Sequence, residues 1–225
     1  MNVALPFRDR AEAGRLLAPL VAEHVPRAEN PIVLALPRGG VPVAFEVARA
    51  LDAPLDVIVV RKLGVPSQSE LGMGAIGEDG VRVLNPEVIR HLSITEGALR
   101  SVTERERAEL DRRSEQYRRD APMIPLTDRI AIVIDDGLAT GSTARAAIEV
   151  ARAHGARRVA LAVPVAPQDT VDELGDVADD VICVASPQPF TSIGQWYRDF
   201  RQTTDAEVSQ LLLRARQAGD AGGSA

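Results

Sequence analysis

Apolar residues recur along the chain with two different periods. In Leu5–His24 they fall at helical spacing, at Leu16, Leu17, Leu20 and Val21, and Pro26 follows as a stop. Ile32–Leu36 is instead a short unbroken apolar run, the pattern of a strand covered on both faces. Val41–Leu51 returns to a helix and Val57–Val60 to a second strand. The alternation resumes downstream, with strands over Ile130–Ile134, Val159–Val163 and Val181–Ala185 and helices over Ser142–His154 and Thr170–Leu174. A closing helix spans Asp205–Arg216, with Thr204 as its cap. Strands alternating with helices predict βαβ units, and so an α/β fold: a Rossmann-like, mostly parallel sheet flanked by helices.

Two stretches interrupt this rhythm. Ala75–Leu84 sets two short β-like pieces around Glu78-Asp79-Gly80, a hairpin signal. Residues 85–120 turn helical, opened by Asn85 as cap and Pro86 in the first turn. Within them Glu104–Asp120 holds 12 charged residues in 17, six of each sign, with favourable i,i+4 pairs Glu109/Arg113 and Glu115/Arg119. Such a helix presents a solvated face or a contact between subunits. The expected organisation is one domain over residues 1–217, with a helical insertion at 85–120 and a C-terminal segment at 186–217. Residues 218–225, small and polar, are expected to form a disordered tail.

Composition narrows the classes. With 225 residues, 45% of them hydrophobic, the chain can bury a sizeable core. A net charge of -6 argues against nucleic acid as a partner. No apolar run approaches the roughly 18 residues of a bilayer span, and Arg8, Asp9, Arg10 and Glu12 interrupt the start where a signal peptide would be apolar. The chain is thus expected in the cytoplasm, without a membrane partner. Cys183, the single cysteine, excludes an intrachain disulfide and reads as a buried strand residue. His24, His91 and His154 lack ligand spacing. Of the 26 basic residues Lys62 is the only lysine, which invites a role for a compact ammonium at that position.

The most informative segment is Ile130-Ala-Ile-Val-Ile-Asp-Asp-Gly-Leu-Ala-Thr-Gly-Ser-Thr143. A buried strand here delivers two adjacent carboxylates, Asp135 and Asp136, to the carboxyl edge of a sheet, where open α/β sheets bind ligands. A small-residue loop then enters a helix, so that its backbone N–H groups, its hydroxyls and the helix dipole favour a phosphate. It is not a Walker A loop, because no Gly-Lys-Ser/Thr follows. Carboxylates beside a phosphate site suit a ligand that also carries hydroxyls or a divalent metal ion, and a sugar phosphate meets both needs.

This segment resembles the phosphoribosyl diphosphate (PRPP) motif of type I phosphoribosyltransferases. The resemblance implies that Asp135 and Asp136 contact the ribose hydroxyls, directly or through Mg²⁺, and that Ala139, Thr140, Gly141, Ser142 and Thr143 hold the 5-phosphate. Leu36-Pro-Arg-Gly-Gly-Val-Pro42 matches the family's diphosphate loop, with Arg38, Gly39 and Gly40 on the ligand, although an Arg-Gly-Gly turn alone is equally well structural. Arg61 and Lys62, at the end of the second strand, match a basic pair that grips diphosphate. Leu63–Gly74 is similar to the mobile loop that closes over the reaction, and Glu70 within it either acts on the nucleophile or metal or is an ordinary exposed glutamate.

The whole chain, including Gln195–Thr204, further resembles a group of bacterial phosphoribosyltransferases whose acceptor is unsettled. Phe190, Trp196, Tyr197 and Phe200 cluster late in the chain, where they either form a hood stacking a planar acceptor, Trp196 foremost, or anchor the C-terminal segment. Ala139 stands where hypoxanthine-guanine enzymes carry an aspartate, which disfavours a 6-oxopurine. The function implied is Mg²⁺-dependent transfer of a phosphoribosyl group from PRPP to an unidentified small-molecule acceptor with release of diphosphate, in a chain for which a homodimer is an available state. The alternatives are a PRPP-binding sensor or regulator without turnover, and hydrolysis of PRPP or of a ribosylated product by the same residues.

Overall fold

The computed structural model of the chain describes residues 3–66, 68–117 and 122–222. The first helix, α1 (Arg10–His24), starts later than the apolar spacing predicts. Asp9 stops it by capping: its Oδ1 accepts from the Glu12 N–H at 2.7 Å. Phe7 instead lies extended and bridges Tyr197.

Strands β1 (Pro31–Ala35), β2 (Leu55–Val57), β6 (Ile130–Ile134), β7 (Arg158–Val165) and β8 (Asp180–Ala185) form a fully parallel sheet in the order β2-β1-β6-β7-β8. Between β1 and β2 runs α2 (Gly40–Leu51); α5 (Ser142–Ala153) links β6 to β7, and α6 (Gln168–Gly175) links β7 to β8. Successive strand residues serve opposite faces. Val33, Ala35, Ile132 and Ile134 pack toward α1 and α2, whereas Ile32, Leu34, Ala131 and Val133 pack toward α5. From β1 the order runs outward to β2 on one side and to β6 on the other, so the switch point lies between β1 and β6.

The second strand differs from the expectation of one run over Val57–Val60. β2 ends at Val57, Ile58 and Val59 pass buried between layers, and β3 (Val60–Val65) begins a separate antiparallel sheet. An unbroken apolar run carries no mark of a change of sheet. In that second sheet β3 pairs with β4 (Gln68–Gly77), which pairs with β5 (Arg82–Leu84) across a 3₁₀ turn at Glu78–Gly80. The expected Asp-Gly hairpin is therefore present. The segment expected as a mobile loop, Leu63–Gly74, is mostly strand: Lys62 pairs with Ala75 and Leu63 with Gly74 in a ladder, and Leu63, Val65 and Met73 are buried. Their burial outweighs the weak strand propensity of the intervening Gly, Ser and Pro residues.

The insertion comprises α3 (Pro86–His91), capped as expected by Asn85, whose Oδ1 accepts from Glu87 and Val88, and α4 (Glu96–Tyr117). Of the two expected ion pairs on α4, Glu109 meets Arg113 at 2.7 Å, while Arg119 lies outside the described residues. The last helix, α7 (Asp205–Gly222), opens with a capping box: Thr204 Oγ1 accepts from the Glu207 N–H and Glu207 Oε2 accepts from the Thr204 N–H. It runs to Gly222, past residue 218, where the disordered tail was expected to start. Cys183 is only partly buried, since β8 is an edge strand. Among the described residues no helix is long and apolar enough to cross a membrane.

Asp56 is the buried polar anchor of this arrangement, 1% exposed. Its Oδ1 accepts from the Val57 N–H and its Oδ2 from the Ile124 N–H, both at 2.8 Å, which ties the chain leaving the insertion to β2. Asp56→Ala removes the acceptor of both bonds and is expected to lower unfolding free energy by about 1–3 kcal/mol. Urea denaturation checks this.

Candidate active site

β1 and β6 are neighbours in register, Ala35 opposite Ile134, so the loops leaving their carboxyl ends start side by side. The Leu36 N–H donates to the Ile134 carbonyl at 2.8 Å and locks the start of the first loop to the second strand. The Pro37–Arg38 peptide within that loop is cis. A Cβ on Gly39 would stand 2.1 Å from Asp136 Oδ2, and one on Gly40 would stand 2.5 Å from the Ile134 carbonyl oxygen. Both glycines are thus required by close contact with the acidic motif and the strand that carries it.

The two acids have different surroundings. Asp136 is 8% exposed, and its carboxylate faces inward. Arg10 Nε donates to Asp136 Oδ2 at 2.7 Å, while the same guanidinium donates to the Arg201 carbonyl and lies 4.1 Å from the centre of the Phe200 ring. Tyr197 OH donates to the Asp136 carbonyl at 2.6 Å. Burial, and then the negative charge of Asp136, push the Tyr197 hydroxyl well above its ordinary value, so it stays a donor. Asp135 lines the cleft. Burial, reinforced by the charge of Asp136, raises its pKa well above the ordinary carboxyl range. Burial also raises Asp136, against the pull of Arg10.

The cleft has a volume of about 730 Å³ and brings together Leu36, Pro37, Arg61, Lys62, Asp135 and Thr143, with one wall formed by α4. Lys62 also lines an adjoining cleft that contains Thr140 and Ser142. Arg61 and Lys62 reach this place from β3 of the second sheet rather than from the end of β2, which corrects their expected location. The loop between β6 and α5 enters the helix through small residues. Gly141 adopts φ +66° ahead of α5, the Thr170 hydroxyl donates to the Ala139 carbonyl at 2.9 Å, and the hydroxyls of Thr140 and Ser142 lie 3.1 Å apart.

Other expected site residues go elsewhere. Arg38 turns from the cleft toward Asp205, with Nη1 to Oδ2 at 3.6 Å. Trp196 packs on Phe190, ring centres 6.1 Å apart, in the cluster that anchors the N-terminal segment: the Phe7 N–H donates to the Trp196 carbonyl. The Glu70 side chain lies outside the described residues. Sequence reasoning missed Arg10, Glu106 and Thr170. Arg10 lies 126 positions from its partner and looks like any of 25 arginines, so nothing local marks it.

Residues 10–191 match the family described as phosphoribosyl transferase domain. Over 211 residues, 94% of this chain, it is 56% identical to two Mycobacterium tuberculosis proteins named, provisionally, phosphoribosyl transferases: Rv0571c of strain H37Rv and MT0597 of strain CDC 1551 / Oshkosh. The chain spans 47% of the length of these relatives. The crystal structure of TT1426 from Thermus thermophilus is 43% identical, covers 93% of this chain and 99% of its own, and superposes with a TM-score of 0.88. AQ2163 from Aquifex aeolicus, 10% identical over 82% of this chain and 78% of its own, shares the fold at a TM-score of 0.50.

Gly39→Ala drives a methyl group into the Asp136 carboxylate and is expected to cost about 1–3 kcal/mol. Gly72→Ala is the control, because its Cβ would meet only the Lys62 methylenes at 3.7 Å. Denaturant midpoints of the two variants check the contrast.

Proposed function

The chain belongs to the phosphoribosyl transferase family, and from that premise we propose that it moves a phosphoribosyl group from PRPP to a small nucleophilic acceptor, releasing diphosphate. The observation that carries this reading is the convergence of the Leu36–Pro37 loop, Arg61, Lys62, Asp135 and Thr143 on one cleft at the switch point of the sheet. During transfer the bond from ribose C1 to the diphosphate oxygen breaks, its electron pair leaving with diphosphate, and the acceptor's lone pair forms the new bond to C1. Arg61 and Lys62 meet the charge that grows on the leaving group. Asp135 orients the ribose and favours the positive charge developing on it. Thr140, Ser142 and the N-terminus of α5 hold the 5-phosphate.

Asp136, enclosed by Arg10 and Gly39, takes a positioning role: it holds the diphosphate loop against β6. Arg38, paired with Asp205, and Trp196, packed on Phe190, take supporting roles in the same way.

Mg²⁺ suits the residues present. Among the described residues no group of three or more His, Cys, Asp or Glu forms a metal cage. Mg²⁺ is commonly held by one or two carboxylates together with substrate phosphates, and Asp135 offers one carboxylate on the cleft whose ionised form a cation would favour. When bound, the ion supplies positive charge to the departing diphosphate.

Isothermal titration of PRPP tests this reading. The wild-type protein is expected to bind PRPP in the presence of Mg²⁺, and Asp135→Asn to weaken that binding tenfold or more. Absence of Mg²⁺-dependent binding in the wild type would overturn it. Binding without diphosphate release across a panel of nitrogen nucleophiles would favour the sensor role over the transferase.

A further inference from the structure

The insertion helix α4 carries dense charge that a merely solvated helix would not need to organise. It is firmly docked: Val102 and Leu110 are buried in the main core, and at its end the Tyr117 hydroxyl donates to Asp205 Oδ1 at 3.0 Å, on the residue that also meets Arg38. The α4 side chains Ser101, Arg105, Glu106 and Arg113 line the cleft opposite Asp135 and Thr143. Glu106 is largely shielded, its side chain 14% exposed, and it divides its two oxygens. Oε2 accepts from Arg61 Nε at 3.0 Å and Nη2 at 2.6 Å, and Oε1 accepts from Arg105 Nε at 3.2 Å. One carboxylate thereby sets the plane of the Arg61 guanidinium, which comes from the other sheet, and holds Arg105 beside it. Among the described residues the charged side chains lining the cleft are Arg61, Lys62, Arg105, Arg113, Glu106 and Asp135. Arg112 is the informative neighbour: it shares Glu109 with Arg113 but does not line the cleft.

We propose that the helical insertion is a working wall of the transfer site, in which Arg105 and Arg113 meet the diphosphate end of the donor and Glu106 is the positioning residue that aims Arg61 at the same charge. This rests on the function proposed above and assigns to it residues of α4. An anionic acceptor offers the same chemistry as diphosphate, and the choice of probes separates the two sources.

The test is titration of the full chain with Mg²⁺-diphosphate and, separately, with ribose 5-phosphate, which keeps the loop-bound phosphate but lacks the diphosphate. Arg105→Ala combined with Arg113→Ala is expected to weaken diphosphate binding tenfold or more and to change ribose 5-phosphate binding by less than twofold, with Arg112→Ala leaving both unchanged. Glu106→Gln gives a diagnostic sign. Removal of a carboxylate from an anion cleft strengthens binding if only charge matters, whereas loss of the bracket on Arg61 weakens it, and a threefold or greater weakening is expected. Diphosphate binding unaffected by the double substitution, equal weakening of both probes, or tighter binding in Glu106→Gln would overturn the proposal. If the double variant leaves diphosphate binding intact yet weakens an anionic acceptor, the wall serves the acceptor and the assignment to diphosphate falls. A wild-type protein that binds neither probe would overturn the proposed function and this inference with it, and is distinguishable because the control itself is silent.

Discussion

Where β1 and β6 end side by side, the loop leaving β1 brings two glycines, without side chains, against the strand and the acidic motif of β6. Gly40 rests on the Ile134 carbonyl and Gly39 on the Asp136 carboxylate, closer than any other residue would allow. This contact lets the diphosphate loop and the acidic motif share one edge of the sheet. It depends in turn on the strand order, because a switch point sends the chain outward in opposite directions and leaves a crevice only there.

Charge at that crevice is balanced unevenly. Two adjacent carboxylates withdrawn from water repel each other, and the fold answers with one buried cation rather than two. Arg10 takes Asp136, is itself stacked on Phe200, and is anchored to the Arg201 carbonyl, so the start and the end of the chain close over the second acid together. Breaking such a buried pair from one side commonly costs about 3–5 kcal/mol. Asp135 is left lining the cleft.

The aromatic residues follow the same logic. Tyr197 holds the Asp136 carbonyl, Phe200 lies under Arg10, and Trp196 and Phe190 pack behind them. Rings that resemble a stacking platform in sequence pack the segment around Phe7 and the segment 190–200 against each other beside the motif. Meanwhile the second sheet and the insertion deliver Arg61, Lys62 and α4 to the far side of the cleft, so one wall is parallel sheet edge and the other is an antiparallel hairpin backed by a helix.

The local record in the sequence was sufficient for several of these elements. The unbroken apolar runs Ile32–Leu36 and Ile130–Ile134 marked buried strands, Asn85 and Thr204 marked helix starts through caps made within three residues, and the Asp-Asp and Thr-Gly-Ser-Thr spacing marked the loop from β6 into α5, because each is written in one short segment. What depends on distant partners was not legible. The apolar run Val57–Val60 is the same whether it stays in one sheet or crosses to another, and the glycines of Leu63–Gly74 read as a loop until Met73 and Leu63 find a core. Arg10 was one arginine among many until α1 docked 126 positions away from Asp136, and Glu106 was one charge among twelve until α4 met β3. Sequence determines what a segment prefers over a few residues; which of two adjacent acids lines the cleft, and which arginines line it with that acid, was decided only by the packing that brings separated segments within hydrogen-bonding distance.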